Sequence, residues 1–135
     1  MSIGLVDILD VKPAWQSRHT IKALAKDGKS LAVKGLADLK AVHPNDYKKI
    51  MKVIRLVAEN DRVQNADHVK QGKQHNDVYE MRGGQARLFF FYTPDAKQVV
   101  VCTNYYWKAK KSEDEQDAAF ERCEKLRAAY LKSIE

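Results

Sequence analysis

Gly83-Gly84 lies between two runs that read as strands, residues 78–82 and 85–92, and no other feature restricts the fold as strongly. Both runs are rich in aromatic and branched residues, and the tight loop of a hairpin needs positive φ, which glycine adopts without steric cost. Thr93-Pro94-Asp95 marks the next turn, and residues 98–106 supply a third strand. With Gly83-Gly84 as the loop, Arg82 faces Gln85, Met81 faces Ala86, Glu80 faces Arg87 and Tyr79 faces Leu88. Alternation then gathers Tyr79, Met81, Ala86, Leu88, Phe90 and Tyr92 on one face, a set that demands helices packed on it. The other face collects Val78, Glu80, Arg82, Gln85, Arg87, Phe89 and Phe91.

Helical patterns surround this meander. Residues 14–27 and 30–41 both read as helical, as two helices or one interrupted at Asp27-Gly28-Lys29, while residues 3–11 suggest a first strand. After His43-Pro44, Asn45 or Asp46 can cap a helix whose buried stripe is Tyr47, Ile50, Met51, Ile54, Val57 and Ala58. Residues 60–77 are polar and read as loop. Ser112-Glu113-Asp114-Glu115 resembles a capping box, and Phe120, Cys123, Leu126, Arg127 and Tyr130 share one side of the helix it opens. The expected class is α+β, with amino-terminal helices and a carboxy-terminal helix on a small twisted antiparallel sheet.

Charge narrows the function. The chain of 135 residues carries 24 Lys/Arg and 18 Asp/Glu, for a net +6. Residues 1–111 hold 20 basic and 11 acidic side chains, whereas residues 112–135 hold 4 and 7. A basic body with an acidic tail segment suits an anionic partner such as nucleic acid. No apolar run approaches the roughly 20 residues of a spanning helix. Asp7 and Asp10 interrupt the first apolar stretch and no basic leader precedes it, so a cytoplasmic single domain over 1–135 is expected. Two cysteines, Cys102 and Cys123, fit small core residues in a reduced compartment rather than a disulfide framework.

The phosphate-binding candidates lie on the second sheet face. Arg82 and Arg87 can fork onto phosphate oxygens, and Phe89 and Phe91 are expected exposed there as stacking surfaces. Glu80 beside Arg87 is equally the kind of cross-strand pair that only supports a sheet. The third strand runs into Tyr105-Tyr106-Trp107-Lys108-Ala109-Lys110-Lys111, which interleaves rings with cations: a hydrophobic plug under the last helix, or a stacking platform with a phosphate clamp. No GxGxxG, Walker loop, HExxH or CxxC is present, and His68 and His75 have no third ligand nearby.

Residues 78–82, 85–92 and 105–111, preceded by His68-Val69-Lys70, resemble the RelE/ParE toxin superfamily, in particular its phage-derived, HigB-like branch. The resemblance is best over residues 68–111 and leaves residues 1–43 as an extended amino-terminal segment. It implies a RelE-like fold and the toxin of a type II toxin–antitoxin system, a ribosome-dependent mRNA endoribonuclease that inhibits translation with no metal or cofactor. A ParE-type DNA gyrase inhibitor, or a degenerate member that keeps only RNA or antitoxin binding, are the alternatives. Its partners would be a cognate antitoxin, in a hetero-oligomer, and mRNA on the ribosome, with no membrane involved. By position, Arg82, Arg87, Glu80 and Lys108 would be catalytic, and Lys70, Lys73, Tyr105, Tyr106, Trp107, Lys110 and Lys111 would bind RNA. Thr103 stands where many HigB-like sequences have histidine, which leaves proton transfer to Glu80, a lysine or a tyrosine. Trp107 replaces the first lysine of the usual pair.

Overall fold

A computed structural model describes residues 2–75, 77–94, 98–109 and 113–134. In it the glycine hairpin anchors a sheet of six strands, two more than the meander and the suggested first strand supply. The strands are β1 (Ile3–Val6), β2 (Thr20–Lys26), β3 (Val69–Gln71), β4 (Tyr79–Gly83), β5 (Ala86–Tyr92) and β6 (Val99–Trp107). Their order is β1-β2-β6-β5-β4-β3. The helices are α1 (Leu31–Val42), α2 (Pro44–Glu59) and α3 (Glu113–Ser133), with a single 3-10 turn at Pro13–Trp15. This is the α+β class expected, consistent with a RelE-like fold. The sheet is mixed instead of purely antiparallel, because β2 runs parallel to β6.

Two local expectations are corrected. Residues 20–26, TIKALAK, read as helical from sequence, since alanine, leucine and lysine favour helices. They form β2, where Ile21, Ala23, Leu24 and Ala25 are buried between β1 and β6. Burial of both faces outweighs local propensity, as is usual beside a parallel pairing. Residues 60–77 are not all loop, because Val69–Gln71 adds the edge strand β3 against Met81–Tyr79.

The other helices form for the reasons their sequences suggest. Ser30 caps α1, its Oγ accepting from the Val33 amide at 3.2 Å. The cap of α2 is His43, not Asn45 or Asp46, with Pro44 in the first turn, where its missing N–H costs nothing. Asp46 is used elsewhere: its Oδ2 accepts from Trp107 Nε1 at 3.0 Å and from the Gln85 amide at 3.3 Å. The expected cap Ser112 lies outside the described residues, whereas Glu113, Asp114 and Glu115 do occupy the first turn of α3. There they complement the positive end of the helix dipole.

α1 and α2 cover one sheet face, with Leu36, Leu39, Ile50, Ile54 and Val57 packed on Met81, Leu88, Phe90 and Cys102. α3 covers the other, with Phe120 and Cys123 on Val78, Phe89, Phe91 and Val101. Phe89 and Phe91, expected to be exposed, are therefore fully buried. The reason is α3, which lays Phe120 and Cys123 over β5 and β6, with Leu126 and Tyr130 packed against the same cluster. His19 pins β2 to two loops, its ring nitrogens 2.9 Å from the carbonyls of Gln98 and of Asp61.

Candidate functional site

The hairpin register differs from expectation by two residues. Gly83 pairs with Ala86, Arg82 with Arg87, Met81 with Leu88 and Glu80 with Phe89. The loop is thus Gly84-Gln85, and Gly84 is the residue with positive φ (+58°), as the first central position of a II′ turn requires. Gly83 serves another purpose. A Cβ there would lie 2.4 Å from the Ile50 amide nitrogen, so glycine is what lets α2 lie directly on the strand. A shift of two preserves the faces, so the assignment of side chains to sides holds while the neighbours change.

The change matters for the cations. Arg82 and Arg87 are direct cross-strand neighbours, a like-charge pairing that is unfavourable unless neutralised. Glu80 supplies the neutralisation from the next row. Its Oε1 lies 3.1 Å from Arg82 Nε and 3.9 Å from Arg87 Nε, with the carboxylate fully buried. The Arg82 N–H is not aimed at that oxygen, so the contact is coulombic and the Nε of both arginines lacks a hydrogen-bond acceptor. Arg87 Nη1 instead donates to the carbonyls of Gly84 and Ala86, at 2.8 and 3.0 Å. Burial, and secondarily Arg82, lowers the pKa of Arg87.

Tyr106 completes the row, paired with Arg87 across β5 and β6. Its ring stacks on Phe89 with centroids 5.8 Å apart, and its hydroxyl is buried without a partner. Burial first, then Glu80, pushes that phenol up to about 12, so it remains a donor at neutral pH. A bulge brings Tyr106 here. Between the pairs Leu88↔Tyr105 and Phe90↔Cys102, two residues of β6 oppose Phe89 alone, which resets the alternation. The two are Thr103 and Asn104, both buried; Thr103 Oγ1 donates to Asn104 Oδ1 at 2.7 Å and Asn104 Nδ2 to the Ala119 carbonyl at 3.1 Å. Thr103 Oγ1 also lies 3.1 Å from Cys123 Sγ, so Thr103 and Asn104 together bolt the sheet to α3.

The bulge also sorts the remaining candidates. Tyr105 and Trp107 face α1 and α2, away from the arginines. The Tyr105 ring fills the space that Gly35 leaves open, and Trp107 stacks on His43 at 4.1 Å with an interplanar angle of 2°. Lys108 follows at the strand's end, its amide donating to the Gln85 carbonyl at 2.7 Å. Lys110 and Lys111 lie outside the described residues. Lys70 pairs with Glu80 across β3 and β4, and with Lys73 it lines a cavity of about 220 Å³ at the start of α3.

Gln116 is the functional candidate that sequence reasoning missed. It also lines that cavity, and its Nε2 donates to Glu80, 3.2 and 3.1 Å from the two carboxylate oxygens. Gln116 therefore separates the lysine-lined cavity from the arginine cluster. Its only sequence signal is a place one turn into a helix that lies over Glu80. Behind this partition lie two guanidinium Nε groups and one phenol without acceptors, around a single carboxylate, donors of the kind that bind a tetrahedral or trigonal oxyanion. Among the described residues, no group of three His, Cys, Asp or Glu side chains could hold a metal ion, and no helix is long and apolar enough to cross a membrane.

Comparison with known protein families gives a match. Residues 37–127, more than half of the chain, match the family model described as phage derived protein Gp49-like (DUF891). The match takes in α2, α3 except its last six residues, and every strand from β3 to β6. No curated protein matches the chain.

Proposed function

From the chain's place in the phage-derived Gp49-like family, to which it belongs, we propose that it is the toxin of a type II toxin–antitoxin system and a ribosome-dependent mRNA endoribonuclease of RelE/ParE type. The family is one associated with toxin–antitoxin toxins, and the basic body suits an RNA substrate. The observation that carries the reading is the trio of acceptorless donors, Arg82 Nε, Arg87 Nε and Tyr106 Oη, around Glu80. Buried donors without acceptors are costly, and a phosphate supplies the missing acceptors.

In this mechanism the ribose 2′-oxygen attacks its own 3′-phosphorus. The P–O2′ bond forms and the P–O5′ bond breaks, leaving a 2′,3′-cyclic phosphate and a 5′-hydroxyl. Glu80 accepts the 2′ proton, and Lys108 gives one to the departing 5′-oxygen. Arg82, Arg87 and Tyr106 stabilise the charge on the pentacovalent phosphorus. Since Glu80 lies under Gln116, the first turn of α3 must move for the phosphate to enter.

That closure favours a second reading, in which the cluster is a structural ion-pair network and the chain is a degenerate member that binds RNA or antitoxin without cutting. Primer extension on mRNA in a reconstituted translation mixture separates the two. Cuts at fixed positions within codons, dependent on ribosomes, are expected for the nuclease. Intact mRNA with protein that remains folded contradicts it.

A further inference from the structure

A second basic surface lies on the opposite side of Arg82 from the closed cluster. It is a groove of about 600 Å³ between α2 and the ends of β3 and β4. Lys49, Lys52, Val53 and Leu56 line it from α2, and Arg82 with Gly83-Gly84 from the hairpin. The carboxylates of Glu59 and Asp67 border it too, against four cations counting Arg55. Lys49 and Lys52 are one helical turn apart on the α2 wall, about 4.5 Å along the axis at 1.5 Å per residue. Both are exposed, and no partner for either ammonium is present among the described residues. Arg55, further along, is neutralised by Glu59 at 3.2 Å. The uncompensated charge therefore concentrates at the end where the helix meets Gly83, since a Cβ on Gly83 would touch Lys49 and Ile50 backbone. That end is also where Arg82 connects the groove to Glu80.

We propose that this groove holds the backbone of single-stranded RNA next to the scissile nucleotide, with Lys49 and Lys52 each on one phosphate and Val53 and Leu56 under a sugar or base. The proposal rests on the nuclease reading, and adds to it the direction in which the substrate leaves the site. A row of cations along one wall, ending at Arg82, complements a ligand with regularly repeated negative charge. An acidic polypeptide would match the charge but not the continuity with Arg82, because its carboxylates are not obliged to extend into a phosphate site.

The test is fluorescence anisotropy of the full chain with a 5′-labelled 12-nucleotide RNA carrying 2′-O-methyl sugars, so that it cannot be cut, across a series of KCl concentrations. Lys49→Gln/Lys52→Gln is compared with wild type and with Lys125→Gln/Lys132→Gln on α3, and circular dichroism checks that all are folded. Each phosphate that is no longer neutralised reduces the slope of log K against log salt by about 0.7, so the groove variant is expected to lose about 1.4. The α3 variant is expected to keep the wild-type slope. Equal slopes for the groove variant and wild type overturn the proposal, even where mRNA is still cut on ribosomes. Loss of slope in a chain that cuts no mRNA leaves the groove standing and refutes the nuclease instead. Wild type that fails to bind the RNA but binds labelled poly-L-glutamate through these lysines overturns the proposal in favour of a polypeptide groove.

Discussion

Replacing Glu80 by glutamine preserves its shape and removes the one charge that separates two arginines. Arg87 has 8% of its surface exposed, so its guanidinium cannot turn to solvent without disturbing the hairpin carbonyls it holds. Arg82, with 26% of its side chain exposed, can relax part of the way. Breaking a buried pair from one side costs roughly 3–5 kcal/mol, and the freedom of Arg82 places Glu80→Gln at the lower end, about 3 kcal/mol. With a urea m-value of about 2 kcal/mol/M, the unfolding midpoint falls by about 1.5 M. Adding Arg87→Met removes the orphaned charge, and the double variant is expected to recover about 2 kcal/mol relative to additivity. A midpoint shift under about 0.5 M, with no coupling to Arg87→Met, would refute the claim that this carboxylate holds buried cations together.

Three further outcomes follow from the same geometry. Tyr106→Phe removes a buried hydroxyl that has no partner, so thermal stability is expected to hold or rise by up to about 1 kcal/mol while mRNA cleavage falls about 100-fold; calorimetry beside a cleavage assay reads both. Gly83→Ala drives a methyl group into the α2 backbone at Ile50, at a cost of about 3 kcal/mol, read as a melting temperature lower by about 10 °C. Tyr47 and then Lys40 hydrogen-bond Asp10 and hold its carboxyl below the usual range. The stabilisation is therefore complete above the unfolded value of about 3.9 and is lost as pH falls through the lower folded value. Tyr47→Phe should accordingly be less stable than wild type at pH 7 and converge on it as pH falls through the lowered folded value of Asp10, in urea titrations at each pH.

How much of this the sequence reveals depends on which forces act locally. The faces of β4 and β5 are readable, because a side chain's side depends only on parity and a two-residue register shift leaves parity unchanged. The pairs are not, since the loop sits at Gly84-Gln85 under a constraint that the α2 backbone at Lys49 and Ile50 imposes on Gly83. β2 escapes a sequence reading because its strand state comes from burial beside β6, against the helical preference of its residues. β3 escapes it because three edge residues carry almost no pattern. The site is half visible. Glu80, Arg82, Arg87 and Tyr106 do come together, but the bulge that selects Tyr106 over Tyr105 depends on Thr103 and Asn104 bonding to α3 and to each other. The apolar stripe of α3 indicates that this helix needs a sheet face to cover; that it buries Phe89 and Phe91 and sets Gln116 over Glu80 depends on tertiary packing.

The most direct test of the central claim is single-turnover cleavage of ribosome-bound mRNA by wild type and by Arg82→Gln, with the ends of the products analysed. Arg82 is less buried than Arg87 or Glu80, so its loss spares the fold better than the loss of either. The account predicts 2′,3′-cyclic phosphate and 5′-hydroxyl ends from the wild type and a rate lower by about 100-fold in the folded variant. Equal rates for the two proteins, or ends of a different chemistry, would contradict it.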